Sequence, residues 1–163
     1  MNIQELATDI THLLSQDHLR VANSDLTRPW GGFFVLEEDD AERFIEIWFP
    51  GYAKADLMLG NKLSPKILMV APTKRLSWQY HFRRAEIWRV IEGPVKVVTS
   101  DTDEEKIAEI YHAGDIIRLK QGERHRLIGM EQWGVIAEIW QHTFPEQPSD
   151  EADIVRLQDD FGR

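Results

Sequence analysis

Gln79, His81 and Glu86 lie close together in the run Leu76-Ser77-Trp78-Gln79-Tyr80-His81-Phe82-Arg83-Arg84-Ala85-Glu86. On a strand, alternation puts Gln79, His81 and Arg83 on one face and Trp78, Tyr80 and Phe82 on the other. An amide and an imidazole facing an apolar core are costly unless satisfied, and one bound cation satisfies Gln79 Oε1 and a neutral His81 nitrogen together. Glu86 adds a charged oxygen. A second histidine, His125, follows the turn at Gln121-Gly122. Either histidine alone would read as a hydrogen-bonded interior residue, whereas the set points to a metal. With no cysteine in the chain, any metal has to use nitrogen and oxygen ligands.

These two stretches resemble the two halves of the cupin signature, HxH-x4-E and G-x5-P-x-G-x2-H, which converge on one metal. Gln79 in the first position narrows the resemblance to phosphomannose isomerases, whose set is Gln, His, Glu, His. Arg28-Pro29-Trp30-Gly31, the Gln79 to Glu86 run and the ending Asp153-Ile154-Val155-Arg156-Leu157-Gln158-Asp159-Asp160-Phe161-Gly162-Arg163 are similar to the cupin domain of type II mannose-6-phosphate isomerases. The chain departs from that family at Phe82, Arg83 and Ile87, which replace histidines. It departs also at Lys120, which replaces the proline, and at Gly129, where many cupins have asparagine.

The resemblance implies a metal held by Gln79, His81, Glu86 and His125. Such a site suits one divalent transition metal, zinc first, with Mn, Fe, Co or Ni as alternatives, and leaves positions open for substrate oxygens. It implies aldose–ketose isomerisation of a sugar phosphate, in which a Lewis acid stabilises the enediolate and a side chain carries a proton between adjacent carbons. Glu138, which matches the glutamate of the family's Ile-Glu-Val strand, is the first candidate carrier and His142 the second. Arg84 and Arg126 match arginines of the family motifs, and Arg163 and Arg156 match its terminal motif. Arg83 shares the face of His81. These are candidate phosphate contacts, since guanidinium donates two parallel hydrogen bonds. Arg84 has a rival role in orienting Glu86. Two other classes of function compete, a sugar-binding cupin without turnover and a metal dioxygenase.

Composition bounds the rest. The 163 residues suit one domain, with 1–27 as an N-terminal helical extension, 28–148 as a β-barrel core and 149–163 as a C-terminal arm. The net charge of −9 argues against nucleic acid and anionic membranes as partners. Between Lys74 and Arg126 there are 11 basic and 9 acidic residues, against 8 and 19 elsewhere, so the motif region is the place suited to an anion. No signal peptide or membrane-length apolar run is present, and a cytoplasmic protein is expected.

The fold class expected is all-β, a cupin double-stranded β-helix or jelly roll. Asn2 and Glu5 form a capping box ahead of a helix running to about Leu19. Phe33–Leu36 and Arg43–Phe49 flank an acidic turn and read as a hairpin. Tyr52–Leu63 reads as one helical turn or a loop. Strands are expected at Ile67–Ala71, Leu76–Phe82, Ile87–Ile91, Val95–Ser100, Ile107–His112, Asp115–Leu119, Arg126–Met130 and Gly134–Gln141. A short helix or arm ends the chain. The row Trp78, Tyr80 and Phe82 predicts a homodimer that covers it, the alternative cover being the N-terminal helix.

Overall fold

Asn2 caps the first helix reciprocally: its side chain accepts from Glu5 N–H at 2.9 Å, and Glu5 accepts from Asn2 N–H at 2.8 Å. A computed structural model describes residues 1–163, and in it helix α1 runs Ile3–Gln16. The helix stops short of Leu19, with His18 at φ 59° turning the chain into strand β1 (Val21–Arg28). Residues 1–27 therefore hold most of a strand as well as the expected helix. After β2 (Gly31–Leu36), Arg43–Phe49 is not a strand but belongs to helix α2 (Ala41–Trp48). Ala41, Phe44, Ile45 and Trp48 fall at helical spacing and are all buried, a stripe that outweighs the β-forming composition of the segment. One helical turn, α3 (Lys54–Leu57), follows.

The remaining strands are β3 (Lys66–Val70), β4 (Trp78–Tyr80), β5 (Arg84–Glu92), β6 (Val95–Ser100), β7 (Glu109–Tyr111), β8 (Ile116–Leu119), β9 (Arg124–Gly129), β10 (Gly134–His142) and β11 (Val155–Gln158). All pairings are antiparallel, in two sheets ordered β1-β2-β3-β10-β5-β8 and β11-β4-β9-β6-β7. This is the jelly roll expected. The C-terminal arm is in part a strand, because β11 adds to β4.

The six-stranded sheet is covered on both faces. Leu6, Ile10 and Leu14 of α1 and Phe44 and Ile45 of α2 pack with Phe34, Ile67, Met69, Ile87 and Ile139 on its outer side. Trp88, Val90, Val97, Leu127 and Ile136 fill the space between the sheets. Each large apolar side chain so buried contributes about 1.5–3 kcal/mol. Strands buried on both faces read as continuous apolar runs, as Ile67-Leu68-Met69-Val70 does. Gly129 is required by packing: a Cβ there would lie 2.1 Å from Ala71 O.

The outer face of the five-stranded sheet is covered differently. Trp78 is buried beneath the segment after β6 and donates its indole N–H to Asp103 O at 2.8 Å. Tyr80 lies 3.8 Å under the Arg124 guanidinium, and Phe82 alone of the row is 55% exposed. The row behind the homodimer expectation is thus largely covered by the chain itself. The N-terminal helix, the alternative cover, packs on the other sheet.

Candidate metal centre

Strand pairing brings the ligand candidates together. Gln79 on β4 sits opposite His125 on β9 in one sheet, and Glu86 on β5 faces them from the other. His81 lies in the turn by which the chain crosses between the sheets. Inward alternation along β5 places Arg84, Glu86 and Trp88 on one face, while Ile87 joins the helix-side core.

His81 Nε2 lies 3.6 Å and His125 Nε2 3.8 Å from Glu86 Oε2, and all three residues are buried. Ligand atoms around one first-row cation lie roughly 3–3.5 Å apart, so these spacings fit after small adjustments. The tautomers also fit. His81 Nδ1–H donates to Asp153 O at 2.7 Å and His125 Nδ1–H to Glu123 O at 3.0 Å, which leaves both Nε2 lone pairs turned to the cluster. Burial lowers both imidazole pKa values, His81 far down with the Arg84 charge assisting, and His125 to about 4, so both are neutral at pH 7. Glu86 Oε2 and His125 Nε2 have no hydrogen-bond partner, an expense that a cation between them removes. Gln79 accepts from the Ser77 hydroxyl at 3.2 Å and lines the same cavity.

Arg84 shares this space. Its guanidinium lies 3.6 Å over the Trp140 ring, donates to Ser149 Oγ at 2.8 Å and Asp150 O at 3.2 Å, and places Nη2 3.2 Å from His81 Nε2. Its Nε is 3.6 Å from Glu86 Oε2. The orienting role and the cavity-lining role therefore coincide in one residue.

Glu138 faces the same cavity from β10. Its two carboxylate oxygens accept from the indole N–H groups of Trp88 at 2.8 Å and Trp140 at 2.9 Å. Burial and the adjacent Glu86 raise its pKa to about 8. A carboxyl group poised there gives and takes a proton near neutral pH.

The structure separates the other candidates. His142 is fully buried with both ring nitrogens engaged: Nδ1 accepts from Ser149 N–H at 2.9 Å and Nε2–H donates to Ser64 Oγ at 2.9 Å. It does not line the cavity that Glu138 faces. Arg126 points to the opposite face of its sheet from His125. Its side chain, 0% exposed, is held by Leu76 O, Glu105 and Gln158. It does not line the cavity. Arg83 leaves the face of His81 because β4 ends at Tyr80, and its guanidinium lies 3.5 Å from Asp150 outside the cavity. Arg163 and Arg156 line the cavity.

Arg28, Lys66 and Glu151 also line it and were not singled out by charge counting along the chain. Of the cavity's cations Arg84 alone lies within Lys74–Arg126, and Arg28, Lys66, Arg156 and Arg163 lie outside it, so the topology more than the local charge balance builds the basic cavity. Asp153 was missed too; its carboxylate accepts from Phe82 N–H at 2.9 Å and Arg83 N–H at 3.0 Å, fixing the turn that carries His81. The replaced family positions do not face the cluster, since Phe82 is exposed, Ile87 packs under the helices and Arg83 turns to Asp150. At Lys120 the backbone N–H, which proline lacks, donates to Glu123 at 2.8 Å.

Comparison with known proteins agrees with this architecture. The family model described as mannose-6-phosphate isomerase C-terminal matches residues 37–159. A mannose-1-phosphate guanylyltransferase of Sinorhizobium fredii (strain NBRC 101917 / NGR234) is 28% identical over 102 residues, covering 63% of this chain and 15% of that protein. The chain thus spans a small part of that relative's length. Among solved structures, the capsular polysaccharide assembling protein CapF from Staphylococcus aureus superposes with a TM-score of 0.55 at 13% identity, over 83% of this chain and 34% of that one. Vicilin from Solanum lycopersicum (tomato) gives 0.55 at 17% identity, over 82% and 35%. At these identities the two structures share the fold.

Proposed function

Because the chain belongs to the mannose-6-phosphate isomerase C-terminal family, we propose that it is a metal-dependent aldose–ketose isomerase acting on a sugar phosphate such as mannose 6-phosphate. The observation that carries this reading is the buried His81, Glu86 and His125 cluster, in which Glu86 Oε2 and His125 Nε2 have no hydrogen-bond partner and Glu86 lines one cavity with Gln79 and Glu138. Gln79, His81, Glu86 and His125 would hold the metal, zinc being the first choice. When bound it supplies Lewis-acid stabilisation of negative charge on adjacent sugar oxygens. Glu138 takes the proton from one carbon and returns it to the next. Trp88 and Trp140 hold its two oxygens in place, and the inner core limits water access. Arg84 keeps Glu86 and His81 aligned.

One observation favours a sugar-phosphate-binding cupin without turnover: of the two proposed proton carriers, only Glu138 reaches the cavity. The test is elemental analysis of protein purified without a tag, followed by assay of metal-loaded protein with mannose 6-phosphate in deuterated water. The expected result is about one transition metal per chain and ketose product carrying deuterium at the transferred carbon. Metal-loaded protein that binds phosphorylated hexoses or heptoses and converts none of them would leave the binding reading in place of the isomerase. Iron dependence with oxygen uptake would mark a dioxygenase.

A further inference from the structure

The cavity carries a second charged constellation, four cations, Arg28, Lys66, Arg156 and Arg163, lining it together with Glu151. Arg28 lies 3.0 Å from Asp25, and Arg163 lies 2.8 Å from Asp159. Arg156 forms no ion pair of its own, and burial together with the Arg163 and Arg28 charges lowers its pKa. Lys66 is 5% exposed, with Nζ 3.9 Å over the Trp140 ring and 5.0 Å from Phe33. An ammonium so placed has lost its water and needs an anion. Its one carboxylate partner is Glu151.

Glu151 is poorly anchored for that task. Its side chain is 60% exposed and has no hydrogen-bond partner other than Lys66. The segment that bears it is held by neighbours instead: Ser149 donates to Asp153 at 2.6 Å, and Asp153 caps the turn at Phe82 and Arg83. Glu151 can therefore leave Lys66 and return to water without unfastening the segment. Lys66 stays fixed, because its backbone pairs on both sides, with Val35 and Glu138.

We propose that Lys66, with Arg156 beside it, docks the phosphate group of the substrate, and that Glu151 is a resident carboxylate which the phosphate displaces. This rests on the sugar-phosphate reading above and assigns its anion subsite. A phosphate dianion outcompetes a single carboxylate beside two cations, whereas a neutral sugar leaves Glu151 in place. The exchange makes the cavity selective for phosphorylated over neutral sugars with the same ring.

The test is calorimetric titration of wild type, Glu151→Gln, Lys66→Met and Lys66→Arg with mannose 6-phosphate, mannose and inorganic phosphate at fixed ionic strength, with thermal unfolding of each variant as the folding control. Glu151→Gln should bind both phosphates about three- to tenfold tighter, since it removes a competing, partly exposed ion pair, and mannose no differently. Lys66→Met should weaken both phosphates at least about tenfold, and Lys66→Arg should restore most of the loss. Phosphate affinities unchanged or weakened in Glu151→Gln, or unchanged in a folded Lys66→Met, overturn the subsite. If mannose 6-phosphate binds all forms equally, the sugar-phosphate reading stands and this subsite falls. If inorganic phosphate shows the expected shifts and no hexose phosphate binds better than phosphate itself, the subsite stands and that reading falls. If neither phosphate binds any form, both fall.

Discussion

Replacing Arg126 with alanine separates its sequence match from its place in the fold. The match to a family arginine beside His125 makes it a phosphate ligand; the structure makes it a clamp. Nε donates to Leu76 O at 2.9 Å, Nη1 to Glu105 at 3.0 and 3.2 Å, and Nη2 to Gln158 O at 3.1 Å and to the Gln158 side chain. One side chain thus joins the lead-in to β4, the segment covering Trp78, and β11. Truncation strands the Leu76 and Gln158 carbonyls and leaves Glu105, itself partly exposed, to water. Removing one partner of a buried, hydrogen-bonded charge costs about 3–5 kcal/mol, and for a domain of this size each kcal/mol lowers Tm by about 2–4 °C. Arg126→Ala should therefore unfold about 6–20 °C below wild type by differential scanning calorimetry, and Arg126→Lys should recover part of the loss. At a temperature where both are folded, mannose 6-phosphate affinity should match wild type within about threefold, the margin set by a contact that carries no substrate. A variant that melts with wild type yet loses sugar phosphate would refute the clamp and return Arg126 to the substrate.

Glu138→Gln should slow isomerisation by about two to four orders of magnitude while metal content stays the same. The amide can accept from only one of the two indoles, so urea unfolding should show a loss of about 1–3 kcal/mol. His81→Ala with His125→Ala should abolish metal binding, read by elemental analysis, and equal metal in mutant and wild type would sink the ligand assignment. His142 has an ordinary pKa of 6.5, lowered to about 4 by burial. The unfolded chain thus takes up a proton that the folded chain refuses, so stability is complete above pH 6.5 and declines as pH falls toward 4, by on the order of 2–3 kcal/mol. The other buried histidines slope the same way. The measurement is therefore the difference from His142→Asn, whose side-chain oxygen still accepts from Ser149 and whose slope over that window should be shallower; identical slopes would refute it.

The fold class and the grouping of His81, Glu86 and His125 were legible because alternation and motif spacing are local. Gln79 and Glu138 sit on strands where a period-two reading puts them, His81 lies one residue past the end of β4, and Glu86 and His125 were placed by their match to the cupin motifs. What failed was long-range. Arg43–Phe49 is rich in β-formers, yet its apolar residues also satisfy a helical stripe, and only the sheet it packs on decides between the two. Arg83 shares the parity of His81 until the strand ends at Tyr80, and no residue type marks that end. Arg126 and His142 carry the right chemistry, but their partners, Gln158 and Ser149, come from a distant segment that returns across the barrel. Lys66 reads as the polar start of an apolar strand, and its role follows only from Trp140 and Glu151 closing over it.

The hydrogen bond from His81 Nδ1 to Asp153 O joins residues 72 apart in sequence, and this gives the site an order of assembly. Every strand of both sheets except β11 precedes Asp153 in the chain, so they can pair before that residue is placed. Until then the His81 ring is free to turn and to protonate on either nitrogen, so the Gln79, His81, Glu86 and His125 set exists in register but not in orientation. The late arrival of residues 149–158 fixes the tautomer, closes the turn at Phe82 and Arg83, and seats Glu151 on Lys66. The same stretch of chain thus carries both the carbonyl that fixes the His81 ring and the carboxylate that pairs Lys66.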